Sequence, residues 1–163
     1  MRDSDVLKRI GVYVDVQNIY YTTRQIHKCN FDYNQFWRLA TEGRNVVKAV
    51  AYAIERGDTK QREFQNILRG IGFEVKLKPF IQRADGSAKG DWDVGITIDA
   101  MEYADLADTI VFATGDGDFD ILASKLVDKG KEVEVYGIQE LTSVSLIKAA
   151  SKYVPVQGDL LLR

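Results

Sequence analysis

The sequence predicts an α/β domain, a three-layer sandwich around a mainly parallel five-stranded sheet. Three observations carry that prediction. Short β-branched or apolar runs alternate with segments of helical period, the pattern of a parallel sheet covered on both faces. Two glycines, Gly72 and Gly130, fall where helices would end ahead of the next strand. The length of 163 residues suits one domain spanning 1–163, and 45% hydrophobic and 28% charged residues with two prolines describe a folded chain.

The first strand is expected over residues 10–15, ending in Asp15, with Val16-Gln17-Asn18 leading into a helix. Tyr33, Phe36, Trp37 and Ala40 keep the i, i+3, i+4, i+7 spacing of a helical stripe, and so do Phe64, Ile67, Leu68 and Ile71. Both stripes should face the sheet. Strands are expected between and after them, over 46–54 and 73–77. Residues 81–90 read as a flexible loop containing Arg83, Gly86, Lys89 and Gly90. Val94, Ile98 and Met101 suggest the next helix, 110–113 the fourth strand, and Phe119, Leu122 and Leu126 another helix. The fifth strand is expected over 133–136 and a last helix over 142–152. No repeat or low-complexity tract interrupts the pattern.

Composition excludes several classes. The single cysteine, Cys29, cannot form an internal disulfide, and no Cys/His cluster exists to hold structural zinc. The opening Met1-Arg2-Asp3-Ser4-Asp5 lacks the apolar run of a signal peptide, and no stretch is long enough to span a bilayer, so a reducing, cytoplasmic setting is expected. A formal net charge of −2 gives no general attraction to nucleic acid; an RNA partner would need a local basic surface. One histidine, His27, is too few for an imidazole acid–base pair, and it reads as a surface residue. No G-x-G-x-x-G or G-x-x-x-x-G-K string is present. A haloacid dehalogenase phosphatase would need Asp-x-Asp after its first strand, where Asp15 is followed by Val16 and Gln17.

Chemistry is therefore sought among acids at the carboxyl ends of the strands, where parallel α/β sheets bind ligands. Three segments supply them: Asp15 with Asn18; Lys89-Gly90-Asp91-Trp92-Asp93; and Thr114-Gly115-Asp116-Gly117-Asp118-Phe119-Asp120. Singly, Asp118 and Asn18 can be helix caps, and Asp93 and Asp120 can favour the positive end of a helix dipole. Asp15, closing an apolar strand, needs a counter-charge or several donors to stay ionised. Strands one and four are expected to be neighbours, which brings Asp15 and Asp116 together. Two carboxylates about 4 Å apart repel by roughly 4 kcal/mol at an effective dielectric near 20. A divalent cation relieves that repulsion, and all-oxygen ligands suit Mg²⁺ or Mn²⁺ better than zinc. The Asp116 string also resembles the start of a calcium loop, but its sixth position is Ile121, not glycine, and its twelfth is Val127, not glutamate.

The strings Ile10-Gly11-Val12-Tyr13-Val14-Asp15-Val16-Gln17-Asn18, Lys89-Gly90-Asp91-Trp92-Asp93-Val94 and Thr114-Gly115-Asp116-Gly117-Asp118-Phe119 resemble the NYN domain family, in the LabA-like bacterial branch of the PIN-like nuclease superfamily. Arg56-Gly57-Asp58 to Gln61-Arg62 and Lys148-Ala149-Ala150 extend the resemblance over nearly the whole chain. It implies a PIN-like sheet of order 3-2-1-4-5 and metal-dependent hydrolysis of RNA by an endoribonuclease, with Asp15, Asp93, Asp116 and Asp118 as its acids and Asn18 as the asparagine beyond the first strand. Two departures stand out. This chain carries both Asp91 and Asp93 where the family's mid-chain motif has one aspartate, and Asp120 stands where bacterial relatives often carry an apolar residue.

The expected site is thus Asp15, Asn18, Asp93, Asp116 and Asp118 for catalysis, with Asp15, Asp93, Asp116, Asp118 and Asp120 around Mg²⁺ or Mn²⁺. Lys76, Lys78, Arg83 and Lys89 would follow an RNA backbone. Tyr20 or Tyr21 would stack on bases, at least one of the two being expected in the core. Trp92 would support its neighbouring acids or touch substrate. Two rival readings are a non-catalytic regulatory module that keeps the acidic pocket and a metal-dependent phosphatase of small esters. A monomer and a homodimer are both left open.

Overall fold

The computed structural model describes residues 7–79, 81–82, 88–89 and 91–163, with 81–82 and 88–89 described by their backbone alone. In chain order the elements are β1 Lys8–Asp15, α1 Val16–His27, β2 Asn30–Phe31, α2 Tyr33–Thr41, β3 Arg44–Glu55, α3 Thr59–Ile71 and β4 Glu74–Pro79. Two short strands follow, β5 Ile81–Gln82 and β6 Ala88–Lys89, then α4 Asp93–Glu102, β7 Thr109–Ala113, α5 Asp120–Asp128, β8 Glu132–Gly137, α6 Val144–Ala149, β9 Lys152–Pro155 and β10 Leu161–Leu162.

The main sheet runs β4-β3-β1-β7-β8-β9, with every pairing parallel. Its strand count and order differ from expectation, six strands instead of five. The addition is β9, at the edge beside β8. It comes from a run whose end was expected to be helical, 142–152. Here Ser143 begins only a six-residue helix, and the chain turns extended before Tyr153 and Val154. The signal of a four-residue edge strand is weak, and what fixes it is pairing: the Ser151 amide donates to the Val133 carbonyl at 2.8 Å and the Val156 amide to that of Gly137 at 2.8 Å. Part of the expected 81–90 loop is paired, Ile81 opposite Lys89 and Gln82 opposite Ala88.

Alternation along β1 splits the core in two. Val12 and Val14 point to one face, where they meet Ile19 of α1, Phe36 of α2 and Leu68 of α3. Tyr13 points to the other, towards Ile96 of α4, Leu122 of α5 and Leu146 of α6. Helices therefore cover both faces, as burial of a parallel sheet requires. Gly72 (φ +141°) and Gly130 (φ +85°) follow α3 and α5 with backbones that a Cβ would strain.

One stripe departs from expectation, and the helix signalled by Val94, Ile98 and Met101 turns a different side inward. In α3 Ile67 faces solvent, and Gln65 is buried with Leu68 instead. In α4 Val94 and Ile98 are exposed, and the buried side is Ile96, Asp99 and Ala100. The inward side of α4 thus combines Ile96 and Ala100 with a buried acid. Among the described residues no helix is long and apolar enough to cross a membrane.

Candidate functional site

β1 and β7 are adjacent, Val14 opposite Ala113, so Asp15 and the loop after Ala113 emerge side by side. A small hydrogen-bonded frame joins them. Asp15 caps α1, its Oδ1 accepting from the Asn18 amide at 3.3 Å, while its Oδ2 accepts from the Thr114 hydroxyl at 3.4 Å. The Thr114 Oγ1 also accepts from the Asp116 amide at 3.2 Å. Asn18 Oδ1 accepts from the Gly115 amide at 2.9 Å, and Asp116 Oδ1 accepts from the Asp118 amide at 2.9 Å. The side-chain caps fall on Asp15 and Asp116 and not on the expected Asn18 and Asp118, whose backbone amides they receive, and they also orient the acids.

Facing this frame is the N-terminal end of α4. Carboxylate oxygens of Asp93, Asp116 and Asp118 all lie within 4.8 Å of one another. Asp93 and Asp116 are half-buried and Asp118 is exposed. Burial first, then the charges of Asp116, Asp91, Asp15 and Asp118, push the Asp93 carboxyl up to about 7. Asp15 is pushed up to about 6, chiefly by burial with Asp116 and Asp91 adding to it, against the opposing hydrogen bonds from Asn18 and Thr114. Burial, with the neighbouring acids adding to it, thus holds two carboxyls of this site above their ordinary range.

The other expected residues are dispersed. Asp91 is exposed and accepts from the Asp93 amide through Oδ1 at 3.4 Å, so of the two mid-chain aspartates Asp93 is the one that joins Asp116 and Asp118. Asp120 lines a groove between α5 and α6 with Lys125 and Lys148, outside that trio. Lys78 donates to the Asp91 carbonyl at 3.0 Å and sits 4.5 Å above the Trp92 ring. The Lys76 ammonium lies 2.7 Å from Asp99. Tyr20 and Tyr21 are each 51% exposed and pack edge to face, so neither serves the core as one of them was expected to. Arg83 lies outside the described residues, and Lys89 is described only by its backbone in β6. Trp92 is half-buried and donates its indole N–H to the Ala53 carbonyl at 2.8 Å, which makes it a support for α4.

Sequence reasoning missed Thr114, whose hydroxyl links Asp15 to the Asp116 loop, and Asp99. A signal existed for Asp99: it is the one charged residue between Val94 and Met101.

All-oxygen donors from carboxylates fit Mg²⁺ or Mn²⁺. His27 and Cys29 lie at and beyond the far end of α1, away from the acids at its start. The residues present thus fit a hard divalent cation.

The parallel sheet with a cluster of acids at its carboxyl edge is an α/β domain with a candidate cation site. The NYN domain model matches residues 9–159, and the chain belongs to that family. It is 25% identical over 154 residues to the low amplitude and bright protein LabA of Synechococcus elongatus, covering 90% of this chain and 82% of LabA. A crystal structure of a protein of unknown function from Vibrio parahaemolyticus is 53% identical and superposes with a TM-score of 0.93, over 99% of this chain and all of that one.

Proposed function

We propose that this chain is a Mg²⁺- or Mn²⁺-dependent endoribonuclease that hydrolyses phosphodiester bonds of RNA. The observation that carries the reading is the trio Asp93, Asp116 and Asp118, three carboxylates within 4.8 Å at the carboxyl edge of the sheet. Asp93, Asp116 and Asp118 would hold the cation, with Asp15 behind them as a further ligand, directly or through water. A bound divalent ion lowers the pKa of a coordinated water and stabilises charge on the phosphate oxygens during in-line attack. Asn18 holds the Gly115 amide and so shapes the loop that carries Asp116 and Asp118. Lys78 lies beside Asp91 and Trp92, where a cation meets the backbone of a strand entering the crevice. Tyr20, exposed on the first helix beyond Asp15, offers a ring for base stacking.

The test is incubation of purified protein with end-labelled single-stranded RNA in Mn²⁺, EDTA, or Mn²⁺ with Asp116→Asn. Cutting that requires Mn²⁺ and is lost in the variant supports the proposal; equal cutting by both proteins assigns it to a contaminant. Hydrolysis of a chromogenic phosphomonoester with none of RNA would favour a phosphatase.

A further inference from the structure

The helix that delivers Asp93 buries a short apolar face, with Met101 half-buried against the same core. Ile96 and Ala100 are the buried apolar side chains of α4, whereas Val94 is 70% and Ile98 57% exposed. The remaining buried residue of this helix, Asp99, is 6% exposed. A carboxylate so far from water is strongly disfavoured unless a counter-charge and donors receive it. Both are present. Asp99 Oδ2 accepts from the Lys76 ammonium of β4 at 2.7 Å and from the Tyr52 hydroxyl of β3 at 2.7 Å. Burial pushes the Asp99 carboxyl up, but those two hydrogen bonds and the Lys76 charge outweigh it and hold the group below the usual range. Burial and Asp99 push the Tyr52 phenol up, so it stays a donor.

A second tie lies at the start of the same helix. The Trp92 ring packs on Tyr52 at 5.3 Å between centroids, and its N–H reaches the Ala53 carbonyl of β3. Asp93 stands between the two ties. Six residues separate it from Asp99, about 9 Å along the helix axis, so Asp99 acts on the trio only through the backbone of α4. Apolar packing alone tolerates sliding and rolling, whereas a carboxylate held by a charged and a neutral donor has one preferred geometry.

We infer that Asp99 is a positioning residue for the acidic crevice: held by Lys76 and Tyr52, it sets the depth and rotation of α4 and so keeps Asp93 beside Asp116 and Asp118. This rests on the crevice being a cation site. It gives Lys76 a task beneath the helix, distinct from contact with RNA.

The experiment measures Mn²⁺ binding to the folded full chain by the electron paramagnetic resonance of free Mn²⁺, below the melting temperature, with circular dichroism checking the fold. Asp99→Leu keeps approximate shape without an acceptor and should raise the Kd about tenfold, as loss of a partner that orients a metal ligand does. Asp99→Asn, which retains one acceptor, should recover part of that loss, and Tyr52→Phe should give a smaller rise. An Asp99→Leu protein that is folded, melts lower and binds Mn²⁺ with wild-type affinity overturns the inference, because a purely structural role leaves the folded site unchanged. If Asp99→Leu does not fold, Tyr52→Phe decides, an unchanged Kd overturning it. Wild-type protein that takes up no Mn²⁺ overturns the cation site and this inference together; wild-type binding with unaltered variants overturns the inference alone.

Discussion

Replacing Asp116 by Asn should make the metal-free protein more stable. Asp116 takes part in two of the three contacts within the trio, each no longer than 4.8 Å. A pair of unit charges at that distance repels by about 0.9 kcal/mol at the dielectric of water and about 3.5 kcal/mol at an effective value of 20. Asp118 is exposed and Asp93 half-buried, so the lower figure is nearer, and removing two contacts relieves about 2 kcal/mol. The amide keeps an oxygen to accept from the Asp118 N–H, which leaves the loop intact. For a chain of this size about 2 kcal/mol corresponds to a rise of roughly 4–8 °C in melting temperature. Scanning fluorimetry at pH 8 in EDTA reads it. Saturating Mn²⁺ should reverse the order, since an ion at a hundred times its Kd stabilises wild type by about 2.7 kcal/mol and the variant by little. A variant that melts at or below wild type in EDTA would refute the claim that these acids repel one another in the folded chain.

Further outcomes follow from other parts of the fold. Because the Asp93 carboxyl rises from 3.8 to about 7 on folding, the folded state binds its proton more tightly than the unfolded chain. Its effect on metal-free stability is therefore most favourable below about pH 4 and is lost as the pH climbs towards 7. Wild type should lose stability relative to Asp93→Asn across that window, and a flat difference in melting temperature between pH 4 and 8 in EDTA would contradict the shift. Arg44→Met leaves Glu134, whose side chain is 10% exposed, without the guanidinium that holds both its oxygens. Urea unfolding should record a loss of about 3 kcal/mol. Phe36→Ala empties a position packed at 4.9 Å against Tyr136 and should cost about 3–5 kcal/mol while leaving Mn²⁺ affinity unchanged. Tyr20→Ala should weaken single-stranded RNA binding by about 1–3 kcal/mol with no change in melting temperature, measured by fluorescence anisotropy with Ca²⁺ in place of Mn²⁺.

Strand positions and the acids at their ends were legible because both are local. Apolar runs mark β1, β3, β4, β7 and β8, Asp15 closes the first of them, and Asp116 lies three residues beyond Ala113 of β7. Edge strand β9 was not legible, since its four residues form a strand only by pairing with β8. Nor was the rotation of α4: Val94 and Ile98 mark a helix but face solvent, while the interior holds Asp99, received by Lys76 and Tyr52, which are distant in sequence. The exposure of both Tyr20 and Tyr21 likewise depends on which side of α1 Ile19 buries.

Sequence by itself determined an α/β chain with three acidic strings and the kind of ion those acids suit, because hydrophobic period and donor chemistry are properties of residues. Tertiary structure decided that Asp93, rather than Asp91, meets Asp116 and Asp118, and that Asp120 turns to another groove. Distances among side chains from separate strands and helices are set by sheet order and by how each helix docks, and a buried carboxylate with partners on two strands docks α4.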